Sequence, residues 1–369
     1  MKAGKTLAQL AQELERINAT KRDFVVPTEM LKAEALPNPE TGKEALNLSI
    51  EGQSAYGVNS WTMGQLAQYA DVPKQYLDRI AIENPKLAAR NINHGFESAV
   101  LDSKKDGRNE SRLVRTLDGN VRGLLSSRYR ILDAHDMLEA TLPTILENQM
   151  KVVSSEITDT RLYLKCLSPK LEAEVKKGDV VQMGLVVSTS DVGAGSVRVE
   201  PMIWRLVCQN GLIMPSSMRK YHVGKNQAED AIRELLTDRT RELTDAAFWA
   251  QVRDVVIASM RPEMFQKEVD RLRVAANEEI KNFDLPRVVE LTMKATGITG
   301  EGKKNSIVAA LANGNEGAGL TRWGLINAMT RAAHDEDISY DQSVELERAA
   351  GLVLELPRKD WEHISAKSA

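Results

Sequence analysis

A chain of 369 residues has room for two or three domains of usual size, and 42% apolar with 27% charged residues is an ordinary globular balance. With 49 Lys/Arg against 52 Asp/Glu the net charge is −3, so no overall basic field marks the whole molecule as a nucleic-acid binder. Two cysteines are too few for a disulfide framework, no run approaches the roughly 18 apolar residues of a membrane span, and the charged N-terminus has no apolar signal core; a soluble, intracellular protein is expected.

In chain order, residues 5–17 predict an amphipathic helix, with Leu7, Leu10, Leu14 and Ile17 at helical spacing. Residues 21–40 are polar and contain Pro27, Pro37 and Pro39, which reads as an arm ahead of a strand-like Ala45–Ile50. Two short helices follow, over 62–70 and 71–80, the second with Asp71 as N-cap and Pro73 in its first turn. Their tight connection permits a helix-turn-helix, but Asp78 and Glu83 make the second helix poorly basic for groove reading, and packing is the preferred account. The polar 102–111 segment reads as an exposed loop. Asp118-Gly-Asn120 then signals a hairpin between Leu113–Leu117 and Val121–Leu125. A helix over 134–148 is expected next, with Asp133 as its N-cap and Asp136 in its first turn.

Residues 151–168 read as one or two strands, and 178–224 carry the densest β-type sequence in the chain. Glycines in Asp191-Val-Gly-Ala-Gly195 suit the turn between two of its strands, and Asn210-Gly211 suggests another turn. Cys166 and Cys208 fall in these strands and are expected to be buried, reduced thiols. Arg205, inside an apolar run, must be paired if buried, so a structural acid partner is expected. From Asn226 onward the pattern is helical, with breaks at Pro262 and Pro286, Gly-rich loops at 297–304 and 313–319, and final helices over 321–333 and 342–356. An acidic loop is expected between the last two, within a segment carrying Asp335, Glu336, Asp337, Asp341, Glu345 and Glu347. The sum is an α+β fold: residues 1–54 a helix and arm, 55–225 an antiparallel sheet core flanked by helices, and 226–369 a mainly helical region.

Gly297-Ile-Thr-Gly-Glu-Gly-Lys-Lys304 approaches a phosphate loop, but Lys304 stands where the metal-binding hydroxyl belongs and a helix precedes it instead of a strand. The five histidines make no metal-ligand spacing, and no nucleophile motif occurs. No enzyme, metal or cofactor is therefore expected. The functional lead is local charge: residues 104–130 hold eight Lys/Arg against three Asp/Glu. Arg112, Arg115, Arg122, Arg128 and Arg130, with Arg219, Lys220, Tyr221, His222 and Lys225, are the candidate nucleic-acid contacts. Single-strand binders combine such cations with aromatic platforms, here Tyr129, Trp204 and Tyr221.

Leu125-Ser-Ser-Arg-Tyr-Arg-Ile-Leu-Asp133, Ser190-Asp191, Trp204-Arg-Leu-Val-Cys-Gln-Asn-Gly-Leu212, Tyr221-His-Val-Gly224 and Thr321-Arg-Trp-Gly-Leu-Ile-Asn-Ala328 resemble the phage/plasmid-like proteins grouped as domain of unknown function 932. The resemblance implies a mobile-element setting in a bacterial cytoplasm and assigns no catalytic residue. The order of helix, antiparallel hairpins and helix is also similar to the core of phage single-strand annealing recombinases, which implies single-stranded DNA binding or annealing by a ring or filament of copies. The alternative is a non-enzymatic factor that meets a host protein in defence or replication.

Overall fold

The computed structural model describes residues 2–39, 41–107, 109–214, 237–314 and 318–366. Helix α1 (Leu7–Thr20) opens on a capping box between Thr6 and Gln9 and buries Leu10, Leu14 and Ile17, the stripe its spacing foretold. The residues read as an arm are strands. β1 (Arg22–Pro27), β2 (Leu31–Pro37), β3 (Glu44–Ile50) and β4 (Ala55–Val58) join β5 (Ser111–Leu117) and β6 (Asn120–Ser126) in one sheet of order β1-β5-β6-β4-β3-β2. The prolines are tolerated because Pro27 and Pro37 terminate their strands. Residues 22–50 are thus built into the same sheet as the Arg112–Gly123 hairpin and do not stand apart from it. That hairpin turns as expected: Asp118 and Gly119 both take positive φ (49° and 77°), the geometry of a type I′ turn.

Helices α2 (Ser60–Tyr69), α3 (Lys74–Glu83) and α4 (Pro85–Lys105) pack on this sheet through Leu66, Leu77, Ile92 and Phe96 against Leu48, Val114 and Val121. Two expectations fail here. Asp71 takes φ 51° in the link between α2 and α3, and Pro73 stands at the cap. The 102–111 segment is helical as far as Lys105, because Leu101 and Ser103 prolong the helix before Gly107 (φ 67°) ends it.

Helix α5 (Ala134–Glu147) begins on the Asp133/Asp136 capping box. The second sheet is an antiparallel meander: β7 (Lys151–Ile157), β8 (Leu162–Lys176), β9 (Asp179–Thr189), β10 (Arg198–Arg205) and β11 (Asn210–Ile213). The Asn210-Gly211 turn is corrected: the chain reverses at 206–209, where Gln209 has φ 51°, and both residues belong to β11. Asn210 donates to Thr330 Oγ1 (2.7 Å), while a Cβ on Gly211 would stand 2.9 Å from Met202 Sδ. They are needed for close packing rather than for turning.

Period-two alternation divides the meander's faces. Leu162, Leu164, Cys166, Leu185, Val187 and Val199 meet α1, α5 and α6 (Asp238–Ser259) in one core. Cys166 is fully buried, and burial pushes its thiol up to about 12. Cys208 lies in the turn, half-buried, with its Sγ 2.8 Å from Arg205 Nη1. A disulfide-exchange reagent is therefore expected to modify Cys208 in the native protein and Cys166 only after denaturation; rapid native modification of both would contradict this burial.

The C-terminal part contains α7 (Pro262–Ala275), α8 (Leu285–Thr296), α9 (Glu301–Ala312), α10 (Arg322–Ala332), α11 (Tyr340–Glu355) and α12 (Arg358–Ser365). α7 stops at Ala275, so the helical pattern after Pro262 does not run on to the break at Pro286. Residues 301–304, read as part of a Gly-rich loop, start α9, and Asp341, read as the end of the acidic loop, sits in the first turn of α11. The start of the helical region at Asn226, with Glu229, lies outside the described residues. The Thr321-Arg-Trp-Gly motif is explained by packing. Thr321 caps α10, buried Arg322 donates to the carbonyls of Val353, Leu354 and Leu356 at the end of α11, and Trp323 Nε1 donates to Asp179 (2.9 Å). Asp179 also receives Arg205 Nε (2.5 Å), which confirms the structural pairing expected of that arginine.

Candidate functional site

Two of the arginines singled out from sequence, Arg115 and Arg122, are buried and meet in a hub of ion pairs. Arg115 is fully buried. Across the β1–β5 pairing it meets its register partner Asp23 through Nε and Nη2 (both 2.9 Å), donates from Nη2 to Asp133 (2.8 Å), and from Nη1 to the Asp191 carbonyl (2.8 Å). Arg122, also buried, reaches the Asp191 carboxylate at 3.4 Å, and the other oxygen of that carboxylate accepts from Ala134 N at the start of α5 (2.9 Å). Burial raises Asp191 above the usual carboxylate range, with Asp133 adding to it. Asp133, equally buried, is held below that range by Arg115 and Lys21. Arg112 pairs with Glu110 and lies over the Tyr69 ring (5.1 Å). Arg130 pairs with Asp245 (2.6 Å) and lies over Phe248 (4.7 Å). Arg115 and Arg122 are thus joints between the two sheets and cannot form a phosphate-facing surface. Arg112 and Arg130 are largely committed to acids, and Arg128 is exposed. Arg219, Lys220, Tyr221, His222 and Lys225 lie outside the described residues. Of the aromatic platforms, Trp204 is core and Tyr129 donates to the Ser190 carbonyl (3.0 Å).

The hub secures the loop that enters a cleft. Between β9 and β10, residues 190–197 are tied down by Tyr129, Arg122 and Trp61, whose Nε1 donates to Val192 O (2.8 Å). Ser190 Oγ accepts from the amides of Val192 (3.3 Å) and Ala194 (2.9 Å). Beyond it opens a cleft of about 560 Å³, lined by Trp61, the β7–β8 turn at Thr160 and Arg161, Tyr163, Ala194, Arg198, the end of α8 at 296–298, and one face of α11. That face comprises Asp341, Glu345, Arg348 and Leu352, at the spacing of successive helical turns.

The sheet register explains how its cations assemble. On the face toward α11, Tyr163, Ser188 and Arg198 form one cross-strand row, and Lys165, Val186 and Glu200 the next. α11 answers row by row. Asp341 accepts from Tyr163 Oη (2.8 Å), Arg348 clasps Glu200 through Nε (3.0 Å) and Nη2 (2.5 Å), and Glu347 receives the buried Lys165. Arg198 ends the first row and takes no carboxylate of its own. Its Nε is buried with no hydrogen-bond partner among the described residues, and so is Nη1 of Arg161, whose other arm donates to the Ala194 carbonyl. Burial, then the like charges of Arg348 and Arg161, lower the Arg198 pKa, against the opposing pull of Glu200. Arg112 and Arg122 also keep buried nitrogens without a hydrogen-bond partner among the described residues, but neither lines the cleft.

Arg161, Arg198 and Arg348 were not marked as a cluster from sequence. The available signal was α11 itself, where the charged pair Glu347 and Arg348 interrupts an apolar stretch from Leu346 to Leu354. Among the described residues no cluster of His, Cys, Asp or Glu is placed to hold a metal ion, and no helix is long and apolar enough to cross a membrane.

The chain is therefore an α+β protein whose two sheets and helical C-terminal part meet around an arginine-rich cleft. It belongs to the family described as Domain of unknown function (DUF932), whose model matches residues 121–350. The match contains the whole meander and Arg161, Arg198 and Arg348, but not Trp61 or strands β1–β5. No curated protein and no solved structure matches the chain.

Proposed function

We propose that this protein binds single-stranded DNA, with the Arg161–Arg198–Arg348 cleft holding a phosphate of the strand, in the recombination or replication of a mobile element. The observation that carries this reading is the pair of buried guanidinium nitrogens, Arg198 Nε and Arg161 Nη1, which have no acceptor among the described residues and belong to arginines lining one cleft. A buried donor without a partner costs about 1–3 kcal/mol, and a phosphate oxygen is the acceptor that guanidinium groups match best. Trp61 lines the same cleft and is fixed through its indole nitrogen, so a base next to the bound phosphate would find a flat aromatic neighbour. Annealing, the fuller form of this function, adds the requirement that copies assemble along a shared strand.

Binding is tested with a fluorescent oligothymidylate, and assembly by mass measurement with and without DNA. Saturable binding with a rise in mass on adding DNA is expected; a strict monomer in both states would leave binding but remove annealing. Gly195 offers a variant that leaves charge untouched. A Cβ there would overlap the Arg161 guanidinium, which is the flexible end of a side chain. Gly195 also takes φ 156°, a backbone conformation that an L side chain rarely adopts, so Gly195→Ala is expected to lower the melting temperature as well as to weaken oligonucleotide binding about tenfold, measured well below that temperature. Wild-type affinity in this variant would place the contact elsewhere.

A further inference from the structure

We infer that the cleft takes a nucleoside phosphate at its terminal phosphate group, a free nucleotide or the phosphorylated end of a strand, rather than an internal phosphodiester; this rests on the phosphate-binding reading above. Three observations carry it. First, the unpartnered donors come from two different guanidinium groups, while the third arginine of the cluster is held by Glu200. A terminal phosphate carries nearly two charges and three strongly accepting oxygens, so it can accept from both arginines at once. A diester offers one charge and two such oxygens.

Second, the charges are ordered in space. Arg198 is part of the buried sheet face, whereas Glu345, one turn before Arg348 on α11, is exposed and lines the same cleft. An internal phosphate would require the chain to continue on both sides, with its next phosphates passing a carboxylate. A terminal phosphate requires only one exit. The sugar hydroxyl or base amino group that follows is a donor, which a carboxylate accepts. Asp341 does not compete for the phosphate-binding arginines, because its oxygens already accept from Tyr163, Thr158 and Thr160. Third, about 560 Å³ lies in the range of pockets for single small ligands. Ala349, Leu352 and Ile298 supply apolar wall for a base.

The test measures affinity for four probes: oligothymidylate with a 5′-phosphate, with a 3′-phosphate, with neither, and a thymidine monophosphate. At least one phosphorylated end is expected to bind tenfold or more tightly than the unphosphorylated strand. Thymidine monophosphate is expected to compete with it, and Arg198→Gln to erase the difference. Glu345→Gln, on an exposed position where folding is not at risk, is expected to narrow the preference by admitting the continuing strand. Equal affinity for all three strands would overturn the inference while leaving single-strand binding intact. Binding of thymidine monophosphate but of no strand, lost in Arg198→Gln, would uphold the inference and overturn the strand-binding function. Binding of none of the four would overturn both.

Discussion

Replacing Lys165 by methionine is expected to cost about 3–5 kcal/mol of folding stability, the usual consequence of removing one partner from a buried ion pair. Lys165 and Glu347 are both fully inaccessible to solvent, and the ammonium also lies 5.1 Å from the centre of the Tyr340 ring. Methionine keeps much of the side-chain volume but leaves the Glu347 carboxylate in a dry interface between the meander and α11. The double variant Lys165→Met/Glu347→Leu is expected to recover most of the loss, since a well-packed apolar pair is often as stable as an ionic one. Urea unfolding measures both, as a shift in midpoint at unchanged slope. A cost below about 1 kcal/mol for the single variant would mean that water reaches the pair and that α11 does not seal this face.

Arg115→Met is expected to be of similar size, about 3–5 kcal/mol, because it strips Asp23 and Asp133 of a buried cation and the Asp191 carbonyl of a donor in one step. The pH dependence of this loss has a defined sign. The folded-state pKa of Asp133 lies below its unfolded value, with Arg115 first among the groups that lower it. Its contribution is therefore fully present above the unfolded value of about 3.9 and disappears as pH falls through the lower folded value. In Arg115→Met the burial of Asp133 and Asp191 remains without that cation, so the gap between the two proteins is expected to be widest at neutral pH and to shrink as pH falls, from the point at which these buried carboxyls first take up a proton. A gap that does not change between neutral and acid pH would assign the effect to packing.

These two positions show what sequence pattern carries and what it omits. Helical and β periodicity located most elements from α5 to β11, because there one face of each segment is apolar and the other is not. It failed at residues 22–37, where two short strands ending in prolines resemble a polar arm until β5 and β3 supply their hydrogen-bond partners. Charge density marked Arg112–Arg130 as unusual but did not show that Arg115 is buried, since a one-dimensional count shows the arginine and not the facing Asp23, 92 positions earlier. The cleft escaped for the same reason. Arg161, Arg198 and Arg348 are distant in sequence and meet only through strand register and the packing of α11. The motif residues Tyr129, Asp133, Asp191 and Trp323 act as joints between elements distant in sequence.

The decisive measurement is fluorescence anisotropy of single-stranded DNA binding by wild type and Arg161→Gln/Arg198→Gln at two salt concentrations. Wild type is expected to bind with an affinity that falls as salt rises. The double variant is expected to keep its melting temperature within a few degrees, lose at least tenfold in affinity, and show a shallower salt dependence, by about one to two phosphate contacts. Equal affinity and equal salt slope in the two proteins would contradict the assignment of this cleft to the strand, and no binding by wild type at low salt would contradict the function itself.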